Sequence, residues 1–129
     1  MNVLLDTHAF LWAVTGDRRL SSPARALIED GENQVFLSAV SMWEIVLKAK
    51  AGKLHVEGSV AKMLEEQMRQ ARISPLAIYP AHVLRVAALP PIHKDPFDRL
   101  LIAQSQLLDV AIVTADEQFA AYDVELIRA

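Results

Sequence analysis

Two rhythms of apolar and polar residues alternate along this chain. Short, nearly unbroken apolar runs stand at "NVLLD" (2–6), "QVFLS" (34–38), "ISPLAI" (73–78), "VAIVT" (110–114) and "VELI" (124–127). Each is short enough for a strand, and continuous apolar runs of this kind suit strands buried on both faces. Pro75 cannot donate a ladder hydrogen bond, which places the third run at a sheet edge.

Between the runs lie longer stretches with helical punctuation. "THAFLWAVTG" ends at Gly16, and "SSPARALIEDG" carries Ser caps, Pro23 in its first turn and Gly31 past its end. "AVSMWEIVLKAKAG" (39–52) closes at Gly52, and further helices are predicted over roughly 59–71, 80–89 and 96–108. "PPIHK" reads as a loop, and "ADEQFAAY" as a short helix before the last strand. The alternation of strand and helix predicts an α/β fold, a central parallel sheet of about five strands with helices on both faces. At 129 residues the expectation is a single domain. In such sheets ligands gather at the carboxyl ends of the strands, where strand order reverses, so the residues after each strand matter most.

Composition narrows the classes. There is no cysteine, which excludes disulfides and Cys-ligated zinc. The first residues, "MNVLLD", do not form a secretory signal, and no apolar run approaches a membrane span; the expectation is a soluble, cytoplasmic protein. A net charge of -3 argues against a protein that coats duplex nucleic acid by charge alone. The apolar share, roughly 54% with glycine counted and tyrosine not, exceeds the usual range of about 45–50%. The excess suggests a permanent interface, with a second copy, a protein partner or both.

Against that background the acids stand out. Asp6 ends the first strand, where it is equally a helix N-cap and a metal ligand in waiting. Glu44 sits in a helix that is otherwise nearly all apolar; Ser38 is the better cap, so Glu44 needs a partner, such as Lys48 four residues on, or a metal. Asp95 before Pro96 is a cap. Asp98 gains from the helix dipole and lies off the centre of the apolar face, free to face a cleft. Asp116 follows the fourth strand; Thr114 with Glu117 has the spacing of a cap and leaves Asp116 without that duty. Clustered carboxylates repel, and a hard cation such as Mg²⁺ or Mn²⁺ removes that cost while activating water for phosphodiester cleavage. The four histidines, His8, His55, His82 and His93, show no ligand spacing. Ordinary loop roles outweigh a substrate-phosphate contact for His93 and Lys94, and a solvated face outweighs a basic ridge of Lys48, Lys50 and Lys53.

The segments "LLDTHAFLW", "LSAVSMWEIVLKAKAGKL", "HKDPFDRLLIAQ" and "IVTAD" resemble, in order and spacing, the PIN domain proteins of the VapC toxin type, and the likeness runs the length of the chain. The resemblance implies a PIN-like three-layer α/β/α sandwich and a metal-dependent endoribonuclease. It carries the acidic site onto Asp6, Glu44, Asp98 and Asp116, with Mg²⁺ or Mn²⁺ as cofactor. Thr114 matches a position that often holds a hydroxyl near the metal, and Lys48 stands as a supporting residue. It further implies RNA as substrate, a cognate antitoxin, a homodimer, and contact with DNA only through the antitoxin. Many members have Ser after "DT", where this chain has His8. Two rivals are a haloacid-dehalogenase-like phosphatase, which wants a second Asp where His8 stands, and a non-catalytic RNA-binding or regulatory module.

Overall fold

The computed structural model describes residues 1–129. Five strands, β1 (Asn2–Leu5), β2 (Gln34–Ser38), β3 (Ile73–Leu76), β4 (Ala111–Thr114) and β5 (Leu126–Arg128), form one sheet in the order β3-β2-β1-β4-β5. Every pairing is parallel, so every strand-to-strand connection must cross over the sheet. The crossovers are α1 (Thr7–Thr15), α2 (Ser22–Glu29), α3 (Ala39–Lys50), α4 (Val60–Ala71), α5 (Pro80–Val86), α6 (Pro96–Leu108) and a 3₁₀ turn at Glu117–Ala121.

Side chains alternate across the sheet and divide the core in two. Val3, Leu5, Val35, Leu37, Ala111 and Val113 face one layer, where Ala9 and Phe10 of α1, Ala24 and Ile28 of α2, and Leu64 and Met68 of α4 meet them. Leu4 and Ile112 face the other, against Leu101 and Ile102 of α6, Phe119 and Tyr122. This is the predicted α/β/α sandwich. Both faces of β1 and β4 are buried, which is why their sequences are continuous apolar runs rather than alternating ones.

Chain order fixes where a cleft can open. From β1 the chain steps outward to β2 and β3, then returns across the sheet to place β4 on the other side of β1. The carboxyl ends of β1 and β4 therefore flank the point where strand order reverses. β3 is an edge strand as Pro75 required. Ser38 caps α3, accepting from the Val40 N–H, and Gly16 closes α1 with φ 69°.

Several boundaries differ from expectation, among them the third strand, which ends at Leu76 rather than 78. The helix predicted over 80–89 stops at Val86, the last strand runs 126–128 rather than 124–127, and "ADEQFAAY" forms a 3₁₀ turn instead of an α-helix. No helix is long and apolar enough to cross a membrane.

Candidate active site

Asp6 leaves β1 with 5% of its surface exposed, and both its carboxylate oxygens are held. Oδ1 accepts from the Ala9 N–H at 2.8 Å, capping α1, and Oδ2 accepts from the Thr114 hydroxyl at 2.5 Å. Capping and site placement are thus one geometry. Burial, more than any other cause, pushes the Asp6 carboxyl above its usual range, against the lowering effects of its Thr114 and Ala9 hydrogen bonds and of His8.

Thr114 ends β4, and its hydroxyl relays between two of the acids. It donates to Asp6 and accepts from the Asp116 N–H at 3.0 Å. This corrects the expected capping pattern. Asp116, not Thr114, caps the turn that follows, its Oδ1 accepting from the Gln118 N–H at 2.9 Å. The turn begins two residues later than a box from Thr114 to Glu117 would need. Asp116 has a capping duty after all, but only one oxygen performs it.

Glu44, one turn into α3, is buried, and its charge is matched on both sides. Oε1 accepts from the Thr7 hydroxyl at 2.6 Å, and Nζ of Lys48 lies 2.9 Å from Oε2. Lys48 is half-buried beside Glu44, apart from the exposed Lys50 and Lys53. Thr7 is a residue that sequence reasoning missed. It is almost wholly buried at the first position of α1, where its pattern signalled only a helix start.

Asp95 caps α6, its Oδ1 accepting from the N–H groups of Phe97 and Asp98 at 2.8 and 3.2 Å. Asp98, the third residue of α6, is turned toward the cleft with its side chain 18% exposed. Its carboxyl is pushed up to about 8, first by burial, then by the negative charges of Asp95, Asp6, Glu44 and Asp116. The acids separated by more than a hundred residues therefore act on one another through space.

The second missed residue is His93. The loop before α6 buries it to 7% exposure, with Nε2 3.0 Å from Asp98 Oδ2 and 3.3 Å from Asp116 Oδ2. These three side chains offer ligand atoms within 4.8 Å of one another. The site thus has two halves. Asp6 and Glu44 are deep and hydrogen-bonded, while Asp98 and Asp116 meet at His93, and Asp116, its side chain 37% exposed, stands at the open edge. His8 and Lys94 are exposed and carry no contact to the acids' side chains. A cavity of about 620 Å³ lies elsewhere, lined by Leu11, Val14, Leu54 and Met63 among others, and holds none of the four acids.

Residues 3–125 match the PIN domain family. Ribonuclease VapC22 of Mycobacterium tuberculosis is 27% identical over 121 residues, covering 93% of this chain and 91% of that protein. Ribonuclease VapC16 of the same organism is 38% identical over 58 residues, a match spanning 45% of this chain and 41% of the relative. Among solved structures, VapBC2 from Rickettsia felis bound to a DNA fragment from their promoter superimposes with a TM-score of 0.74 at 13% identity, over 98% of both chains. VapBC-1 from nontypeable Haemophilus influenzae gives a TM-score of 0.68 at 12% identity, over 98% of this chain and 97% of that one.

Proposed function

This chain belongs to the PIN domain family, and from that premise we propose that its 129 residues form one domain acting as a cation-dependent endoribonuclease, the toxin of a toxin–antitoxin pair. The reading rests on one observation above the others. Acids from four separate parts of the chain surround the reversal point of the sheet, and Asp98 is raised to about 8 by burial and by that company. A fold does not hold carboxylates in mutual repulsion without a use for them.

A divalent cation fits this donor set. The ligand atoms are carboxylate oxygens, which select hard ions, and binding would relieve both the burial cost and the repulsion. Asp6, Asp98 and Asp116, with Glu44 beside them, would hold it, with Mg²⁺ or Mn²⁺ as the ion. When bound, the cation supplies charge to a phosphate oxygen and an acidified water. This chain's residues do the rest. Thr114 fixes Asp6 against rotation, Thr7 and Lys48 hold the Glu44 side chain in place beside the site, and a carboxylate takes the proton of the attacking water. No Ser or Cys nucleophile is required. The half-exposed Asp116 marks the side from which the RNA backbone enters.

The reading extends to partners. The chain pairs with a small antitoxin, touches DNA only through it, and works as a homodimer in the cytoplasm. Exposed Trp43, Tyr79, Val83, Leu84 and Ile92 supply apolar surface for such contacts. The test is cleavage of single-stranded RNA. Activity is lost with EDTA, returns with Mg²⁺ or Mn²⁺, and is abolished in Asp6→Asn. Cleavage by Asp6→Asn at the wild-type rate would overturn it, and RNA binding without cleavage under every metal would favour a non-catalytic module.

A further inference from the structure

The backbone of His93 is held on both sides, although the chemistry proposed above gives the residue no task. Its backbone N–H donates to the Tyr122 hydroxyl at 2.7 Å, and that hydroxyl donates to the Pro90 carbonyl at 2.9 Å. Arg99, on the first turn of α6, spreads its guanidinium over the same loop. Nη1 donates to the carbonyls of Pro90 and His93, and Nη2 to those of Val86 and Leu89. The imidazole stands edge-to-face with Phe119, the ring centroids 5.7 Å apart. Such a clamp fixes where the ring's outer nitrogen points.

The two ring nitrogens have opposite surroundings. Nδ1 faces the Asp95 N–H at 3.3 Å, a donor, so Nδ1 is the acceptor and the proton of the neutral ring belongs on Nε2. Nε2 is buried and within 3.0 and 3.3 Å of two carboxylate oxygens, yet aligned with neither. A metal-ligating imidazole needs the reverse pattern, its second nitrogen protonated and donating to an acceptor. The ring is therefore arranged as a donor to the acids rather than as a fellow ligand. Carboxylates rotate readily about their last torsion, so a small turn of Asp98 or Asp116 completes the bond.

Resting on the cation-dependent reading above, we propose that His93 is the positioning residue of the site: its Nε2–H gathers the Oδ2 atoms of Asp98 and Asp116 and leaves the second oxygen of Asp98 to the cation. Without it, two like charges at the mouth of the cleft would splay apart. Arg99 and Tyr122 act one step further out, by holding the loop that carries the ring.

The experiment is Mn²⁺ binding to the full chain without RNA, followed by loss of the free-ion EPR signal, for wild type, His93→Gln, His93→Leu and His93→Asn. The Gln amide reaches the carboxylates with an N–H; Leu offers none. Asn keeps an acceptor for the Asp95 N–H but is too short to reach them, and carries the comparison if the Leu variant does not fold. Binding is expected to weaken about 10-fold or more in His93→Leu and His93→Asn and by no more than about 3-fold in His93→Gln. Electron spin-echo modulation on wild-type-bound Mn²⁺ should show no directly coordinated nitrogen. Wild-type affinity in the Leu variant, an equal loss in the Gln variant, or a coordinated nitrogen overturns the proposal. Wild type that binds no Mn²⁺ overturns both this proposal and the nuclease reading. Wild type that binds Mn²⁺ with the expected ranking of variants but cuts no RNA supports the role of His93 and removes the nuclease.

Discussion

Every deep acid at this cleft has a hydroxyl assigned to it. Thr114 serves Asp6 and Thr7 serves Glu44, both from positions less than 5% exposed. A hydroxyl can donate to a carboxylate without adding charge, so it fixes the geometry and leaves the acid's negative charge for a cation. The dependence can be measured at Thr7. Thr7→Val keeps the shape but strips Glu44 Oε1 of its donor inside the protein, a change that should cost about 1–3 kcal/mol of unfolding free energy. Urea denaturation checks it, and a loss under 0.5 kcal/mol would mean that Lys48 alone satisfies Glu44. The same residue shows a limit of sequence reading. Glu44 advertised its need for a partner by standing in an apolar helix, and Lys48 was legible at four residues' distance. Thr7 is 37 residues away, and only the pairing of β1 with β2 brings the two helices that follow them together.

Helix starts carry the candidate site at the next scale. Asp6, Asp95 and Asp116 each cap the element they precede, so the positions that local rules call structural are the ones that aim the site. In α6 the two tasks can be separated. Asp95→Ala removes the cap and should cost about 1 kcal/mol while loosening the first turn that carries Asp98. Asp98→Asn removes a carboxyl whose ionised form is disfavoured in the fold, and should fold at least as stably as wild type without cation, yet lack activity. Thermal unfolding beside an RNA-cleavage assay checks both. A destabilised Asp98→Asn would show that the carboxylate serves the fold rather than the site. Six helices and five strands were legible because period, caps and glycines agree along nearly the whole chain; Asp6, Asp98 and Asp116 were legible because each follows a strand or opens a helix, and Glu44 because it stands in an apolar one. The 3₁₀ turn after β4 was not, since a shift of two residues moves the cap from Thr114 to Asp116. Nor was His93, which reaches its carboxylates across a loop whose shape is set by Arg99 and by Tyr122, 29 residues downstream.

For the molecule as a whole, the raised acids tie folding to pH and to cation. In the unfolded chain Asp98 ionises near its ordinary 3.8, whereas in the fold it holds its proton until about 8, and Asp6 is shifted in the same direction. Between those values the folded state binds more protons than the unfolded state. The stability this confers is complete below about 3.8 and is lost as pH rises through about 8. In cation-free buffer the melting temperature should therefore fall between pH 5 and pH 8, and Asp98→Asn should flatten much of that slope. A cation reverses the balance, because it binds the ionised carboxylates of the native state and has little to hold in the unfolded one. Its stabilisation reaches about 2.7 kcal/mol at a concentration about 100-fold above Kd. Saturating Mn²⁺ should thus raise the melting temperature more at pH 8 than at pH 5, where protons compete for the same oxygens. Scanning calorimetry of wild type and Asp98→Asn across this range, with and without Mn²⁺, decides the matter. A cation-free slope that is flat or rising, or a Mn²⁺ effect equal at both ends of the range, would mean that the acids do not share the strain that their placement around one cleft implies.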